Sequence, residues 1–309
     1  MMSFSRSLAC LTALAGLLPL STAKAEVVLT KSADAVAVSI DGQEFTIFHF
    51  AASQPKPYFS PVRAADGAIV TRAIGDDVDK DHPHHKGIWF ATDEINGHKH
   101  WAEKQKIVNQ SVTLTKPKGN PARLTYVNHW LDDAGEPLMT ETTHVDIYDN
   151  RLMAFDFSMK MIKAPLEIED TKEGLFGVRV ATSMREKAGL GGVITDSEGR
   201  TTMKDCWGKT GPWVDYSGPV GDKTYGVAIF DHPENFRPSR YHCRDYGLFS
   251  VSPFGEGSYQ NDKSKAAIVH LNSEHPELRL RYALYVHDGN VKTGHVADTY
   301  QRYAAGQEK

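Results

Sequence analysis

Cysteine is scarce in this chain: there are three in 309 residues, and one of them, Cys10, lies in the N-terminal leader. That excludes a disulfide-built scaffold, because only Cys206 and Cys243 would remain to pair, and it excludes a cysteine–histidine zinc module. Long apolar runs are missing beyond residue 25, so no later segment approaches the roughly 20 apolar residues that cross a bilayer. Positive charge is also short. Without Arg6 and Lys24 there remain 33 basic and 39 acidic residues, a net charge of −6 that makes nucleic acid or an anionic membrane a poor partner. Nucleotide and serine-hydrolase signatures are absent: no GxSxG, no phosphate-loop lysine and no dinucleotide fingerprint.

Residues 1–25 read as a signal peptide. Arg6 supplies the positive start, Leu8–Leu20 is mostly apolar, and Ala23-Lys24-Ala25 has the small-x-small form of a cleavage site. The expectation is a periplasmic or secreted protein beginning at Glu26. Whether Cys206 and Cys243 join in a disulfide there or stay as buried thiols is open, as is the oligomeric state.

From Val27 onward the pattern is one of alternation. VVLTK, AVAVSI and EFTIFHF come first, and IVTRAI is a fourth expected strand. Later segments repeat it, as in 153–161, where Met153, Phe155, Phe157, Met159 and Met161 share a face. Residues 290–305 hold the one helical pattern, with Val291, His295, Val296, Thr299, Tyr300 and Tyr303 inward. No linker or repeat divides the chain. The expectation is an all-β fold in residues 26–309, a large antiparallel β-sandwich closed by a C-terminal helix.

Against this regular background, residues 79–103 stand out. Five of the 14 histidines, His82, His84, His85, His98 and His100, fall there with Trp89 and Trp101. Imidazoles exchange protons near neutrality or hold a transition metal, and indole faces pack on sugar C–H bonds. Three readings stand side by side: histidines for binding and proton transfer, histidines in a structural loop network, and a divalent metal on His82, His84 and His85. No cofactor is required by the pattern.

Two further clusters carry chemistry. Glu173 precedes a strand in which Arg179 shares its parity, and a carboxylate at a sheet rim can act as base or nucleophile. In Arg240-Tyr241-His242-Cys243-Arg244-Asp245, His242 with Asp245 could form an oriented acid or base, and Arg244 an oxyanion holder. A buried ion network pinning the loop is the plainer alternative.

Together these residues resemble a bacterial family. Asp81-His82-Pro83-His84-His85-x-Gly-x-Trp89, Asn96-Gly97, Trp101, Glu173-Gly-Leu-Phe-Gly-Val-Arg179, Asp231-His232-Pro233-x-Asn235 and His242-x-Arg244-Asp245-Tyr246-Gly247 are similar to proteins labelled PmoA family, a domain of unknown function. The methane-oxygenase sense of that label does not suit a chain without a membrane span. The resemblance implies a galactose-mutarotase-like supersandwich and a carbohydrate ligand. Tyr241 departs from the family's pattern, standing where a tryptophan is expected before the histidine.

The resulting expectation is a carbohydrate-active enzyme that hydrolyses a glycoside by acid–base chemistry. Glu173, His242 and His84 would be catalytic. His85, Trp89, Asn96, Trp101, His144, Arg179, Tyr241, Arg244 and Asp245 would bind substrate. A lyase or epimerase, a non-catalytic carbohydrate-binding module and a metal-dependent oxidoreductase are the alternatives.

Overall fold

The computed structural model describes residues 25–75, 81–163 and 165–308. The leader up to Lys24 and Asp79 of the histidine segment therefore lie outside the described residues. Among the described residues no helix is long and apolar enough to cross a membrane.

Alternating sequence becomes two large antiparallel sheets. In the first, nine strands run in the order Arg240–Cys243, Leu248–Ser252, Phe176–Arg179, Ile88–Phe90, Tyr58–Val62, Gln43–His49, Ala35–Ile40, Val27–Lys31 and Lys118–Gly119. The second has eight: Val193–Asp196, Trp213–Val220, Lys223–Asp231, Glu277–Asp288, Leu152–Met161, Pro137–Ile147, Ala122–Leu131 and Ile107–Lys116. A small sheet of Val269–Leu271, Leu166–Ile168, Asp93–Ile95 and His98–Lys99 stands beside them.

Period-two patterning fixes which side of each strand is buried. In Leu152–Met161 the residues Met153, Phe155, Phe157 and Met159 are buried, while Ala154, Asp156 and Ser158 are not fully so. Phe155 and Phe157 meet Phe176 of the first sheet with ring centroids 4.8 and 5.9 Å apart. One apolar cluster therefore runs between the two sheets, from Val27 to Val286. The expected antiparallel sandwich is the observed one.

The closing helix spans Val296–Ala304, shorter than the pattern predicts, because His295 adopts a left-handed conformation (φ 51°) and ends the turn before it. Val296, Tyr300 and Tyr303 pack with Trp213, Phe230 and Ala283 on the outer side of the second sheet. Two short helices, Thr202–Cys206 and Glu256–Gln260, were not legible in the sequence. The segment IVTRAI forms no strand, only bridges at Ile69 and Thr71. Tyr58-Phe59 lies in a strand of the first sheet. Cys206 and Cys243 are free thiols, and burial pushes Cys206 up to about 12.

Candidate functional site

Strand register builds the site. Across five neighbouring strands His242 lies opposite Ser250, Ser250 opposite Gly177, Gly177 opposite Trp89, and Trp89 opposite Tyr58. Directly opposed residues of antiparallel strands share a face. Their chain neighbours Tyr241, Val251, Phe176, Phe90 and Phe59 form the opposite, core-facing set. His242 and Trp89 thus stand on the outer face of the first sheet, although 153 positions apart.

Gly177 makes that face usable. A Cβ there would sit 2.9 Å from the Trp89 ring and 3.0 Å from the Trp101 ring. The absence of a side chain lets both indoles lie across the strand.

On Trp89 rises a column of rings. His85 stacks on Trp89 (5.1 Å, 12°), His82 on His85 (4.8 Å, 5°), and Tyr246 on His82 (5.1 Å, 7°). His84 meets His85 edge to face at 4.4 Å. Asp81 ties the column down: Arg179 donates to both its oxygens at 2.8 and 3.0 Å, and Arg72 donates to Oδ1 at 2.8 Å. Arg72 also donates to the carbonyls of His82 and His85 at 2.8 and 3.0 Å. Beneath them the ammonium of Lys56, 1 % exposed, donates to the His84 carbonyl at 2.8 Å and to Glu103 at 2.7 Å. Burial lowers Lys56 to about 8, with Glu103 opposing the shift.

Burial keeps His84 and His85 neutral. Burial first, then the charge of Lys56, lowers His84 to about 4. His85 falls well below the ordinary histidine range through burial, His84 and Arg179. Its Nδ1 faces Arg179 Nη1 at 3.3 Å, so the proton belongs on Nε2, which is buried without a partner among the described residues.

His242 is held differently. Its Nδ1 donates to the carbonyl of Lys172 at 3.0 Å, which leaves Nε2 as the bare acceptor, buried and unpartnered. Burial lowers His242 to about 4; the Lys172 carbonyl opposes this, and Arg244, Lys172 and His82 reinforce it. The Lys172 carbonyl also accepts the Tyr259 hydroxyl at 3.2 Å, and Trp207 stands edge-on to His242 at 6.3 Å. The next residue is Glu173. Burial raises its carboxyl above the ordinary value, against the positive charges of Lys172, His82 and Arg244. The other carboxylates nearby are committed: Asp81 to Arg72 and Arg179, Glu103 to Lys56 and Lys86, and Asp93 to the backbone N–H groups of Trp101 and Ala102.

The structure brings His82, His84, His85, Trp89, Trp101, Arg179, Glu173, His242 and Arg244 to one face, but in two layers. Trp89, Trp101 and His85 are buried, as is His242 at 2 % exposure, and Arg179 is 0 % exposed and spent on Asp81 and His85; Trp89, Trp101 and Arg179 support the face, while His85 and His242 each keep an Nε2 unpartnered among the described residues. Four expectations are corrected. Tyr241 points into the core, its hydroxyl 3.3 Å from the carbonyls of Pro212 and Ile229, because it alternates with His242. His144 lies on the outer side of the second sheet beside Thr125. Asn96 clips the small sheet, its amide bonded to the Pro165 carbonyl and the Glu167 N–H. Asp245 does not orient His242; the Lys172 carbonyl does.

The metal reading of His82, His84 and His85 also fails geometrically. Among the described residues no group of three His, Cys, Asp or Glu side chains could hold a metal ion. His82 and His85 lie in parallel planes, so their in-plane lone pairs cannot meet at one point. Tyr246, Arg72, Lys56, Trp207 and Tyr259 were missed as site residues. Only Tyr246 carried a sequence signal, four residues after His242 in the same motif.

Comparison with known proteins supplies a family and a set of distant likenesses. A family model described as a family of unknown function (DUF6807) matches residues 35–301, and no oxygenase label accompanies it. No curated protein matches. Similar solved structures include the α-galactosidase from Lactobacillus brevis, with a TM-score of 0.46, 8 % identity, and coverage of 91 % of this chain and 42 % of that one. Another is the GH36 α-galactosidase AgaA from Geobacillus stearothermophilus, at 0.45 and 7 %, covering 87 % and 41 %. The galactose 1-epimerase from Lactobacillus acidophilus gives 0.39 and 8 %, covering 86 % and 99 %. This chain therefore spans about two fifths of the length of those α-galactosidases. The architecture is an all-β antiparallel sandwich closed by a C-terminal helix, a fold that does not itself assign an activity.

Proposed function

The chain belongs to this family of unknown function, and from that membership and the geometry of the first sheet's outer face we propose that it is a carbohydrate-active acid–base enzyme. The observation that carries the proposal is His242. Its Nδ1 is fixed on the carbonyl of Lys172, the chain neighbour of Glu173, and its Nε2 is bare, while the Glu173 carboxyl has no ion-pair partner among the described residues. A neutral imidazole with a lowered pKa is a base, and a carboxyl with a raised pKa is an acid. His84, whose ring meets His85 edge to face but has no hydrogen-bond partner among the described residues, is the weaker candidate.

The reaction we propose is proton exchange at the anomeric centre of a sugar. His242 Nε2 takes the proton of the anomeric hydroxyl as that oxygen becomes a carbonyl. The bond from the anomeric carbon to the ring oxygen breaks, and Glu173 gives its proton to the ring oxygen. Rotation and reversal of the same transfers close the other anomer. Arg244, beside Tyr246 at 5.4 Å, supplies positive charge for developing oxyanions. This chemistry uses one carboxyl and one imidazole. Glycoside hydrolysis, the second reading, ordinarily uses two carboxyl groups, and Asp81, Asp93 and Glu103 are engaged elsewhere. An exported location, proposed from the leader sequence, would place the protein where saccharides arrive.

The test incubates the protein with single anomers of free hexoses and with oligosaccharides, following anomer ratio by NMR and product mass. Faster anomer equilibration without change of mass supports the proposal. A product heavier by one water favours hydrolysis, and an unsaturated product favours elimination.

A further inference from the structure

His144 was expected at the site just described and is not there. What surrounds it instead is a second polar hollow, on the far side of the sandwich. Register again sets it out: Thr125 lies opposite His144, His144 opposite Asp156, and Asp156 opposite Arg281, four strands in one row. The adjacent row reads Arg123, Asp146, Ala154 and Ala283. The two alanines leave the sheet low there, and the last turn of the C-terminal helix brings Tyr303 over it. The result is a hollow of about 380 Å³, with Arg123, His144, Asp146, Asp156, Arg279 and Tyr303 in its lining, together with His232 and Arg281. Small-molecule sites begin at about 300 Å³.

Its chemistry is balanced. Arg123 holds Asp146 and Arg279 holds Asp156, each through Nε and Nη2. Arg281 holds Glu234 at the rim. Nη1 of Arg123 and of Arg279 has no partner among the described residues, and each carboxylate keeps lone pairs to spare. Adjacent donors and acceptors in mutually neutralised pairs suit a group that both donates and accepts, which is a hydroxyl. A free anion would meet as many carboxylates as guanidinium groups. An independent observation points the same way: Tyr303 is 7 % exposed, and its hydroxyl is buried without a partner among the described residues. Burial holds this phenol well above its ordinary pKa, so it stays a donor. His232 stands perpendicular to its ring at 5.2 Å.

We propose that this hollow is a second, non-catalytic binding site for a neutral sugar with vicinal hydroxyl groups. It is separate from the His242 face and does not depend on the reaction assigned there.

The test titrates the ¹⁵N-labelled protein with D-galactose, D-glucose and D-glucuronate. Neutral hexoses should shift amides of residues 123, 144, 156 and 303. Tyr303→Phe should weaken that binding about 5- to 10-fold, the worth of one neutral hydrogen bond, without lowering the melting temperature. Ala154→Val, which raises the floor, should block binding and leave turnover at the His242 face unchanged. Glucuronate binding here in preference to the hexoses, or full hexose affinity in both variants, would overturn the proposal. Loss of turnover in His242→Gln with hexose binding retained would separate the two sites.

Discussion

At the residue scale the account rests on two groups whose pKa values move in opposite directions. His242 stays neutral down to about 4, and Glu173 keeps its proton above the ordinary carboxylate range. Activity should therefore rise as pH passes upward through about 4, where His242 becomes a free base, and fall as Glu173 loses its proton. A pH profile of kcat/KM checks this: His242→Gln should remove the acid limb, and Glu173→Gln the alkaline one. Stability follows similar logic. His100, buried against the Leu131 carbonyl, is lowered to about 4 from 6.5. Its contribution is complete above 6.5 and is lost as pH falls toward 4, because the unfolded chain binds the proton first. Asp231, raised to about 6, acts in the opposite sense, contributing below 3.8 and losing that contribution as pH rises through 6. His100→Gln should flatten the dependence of the urea midpoint on pH between 4 and 6.5; an unaltered slope would contradict the assignment.

At the scale of elements, the outer face depends on a gap in one strand and a clamp on one loop. Gly177→Ala should cost about 1–3 kcal/mol, because the added methyl meets two indole rings that are themselves fully packed. Urea denaturation measures it, and a neutral result would mean that the rings have room to shift. Arg179→Lys should loosen the histidine loop, since a lysine cannot donate twice to Asp81 while also reaching His85. Faster proteolysis around residues 81–86 is the expected readout, with an unchanged rate counting against the clamp.

Much of this scale was legible beforehand, and the failures are instructive. Alternation placed Met153, Phe155 and Phe157 inward correctly, because the period of a strand is local. The same rule, applied to 241–244, would have put Tyr241 inside with Cys243 once His242 was placed outside. A binding role for both could not stand. His144 failed for another reason. Its parity was readable, but the sheet carrying it, and the side of that sheet covered by the C-terminal helix, depend on pairing with residues more than a hundred positions away. The Lys172 carbonyl that orients His242 carries no side-chain signal at all.

Viewed as a whole molecule, the sandwich keeps its two polar faces apart. One apolar core separates the His242 face from the hollow around Tyr303, so each can be altered alone. Distant effects between such sites are small when no shared partner links them. The measurement that bears most directly on the central claim is NMR of anomer exchange in a hexose solution with the wild type, Glu173→Gln, His242→Gln and His84→Ala, each first shown to be folded by its melting temperature. The account predicts catalysed exchange in the wild type, a loss of about 10²- to 10⁴-fold in the Glu173 and His242 variants, and near-normal exchange in His84→Ala. Exchange that proceeds equally well without Glu173 and His242 would contradict it.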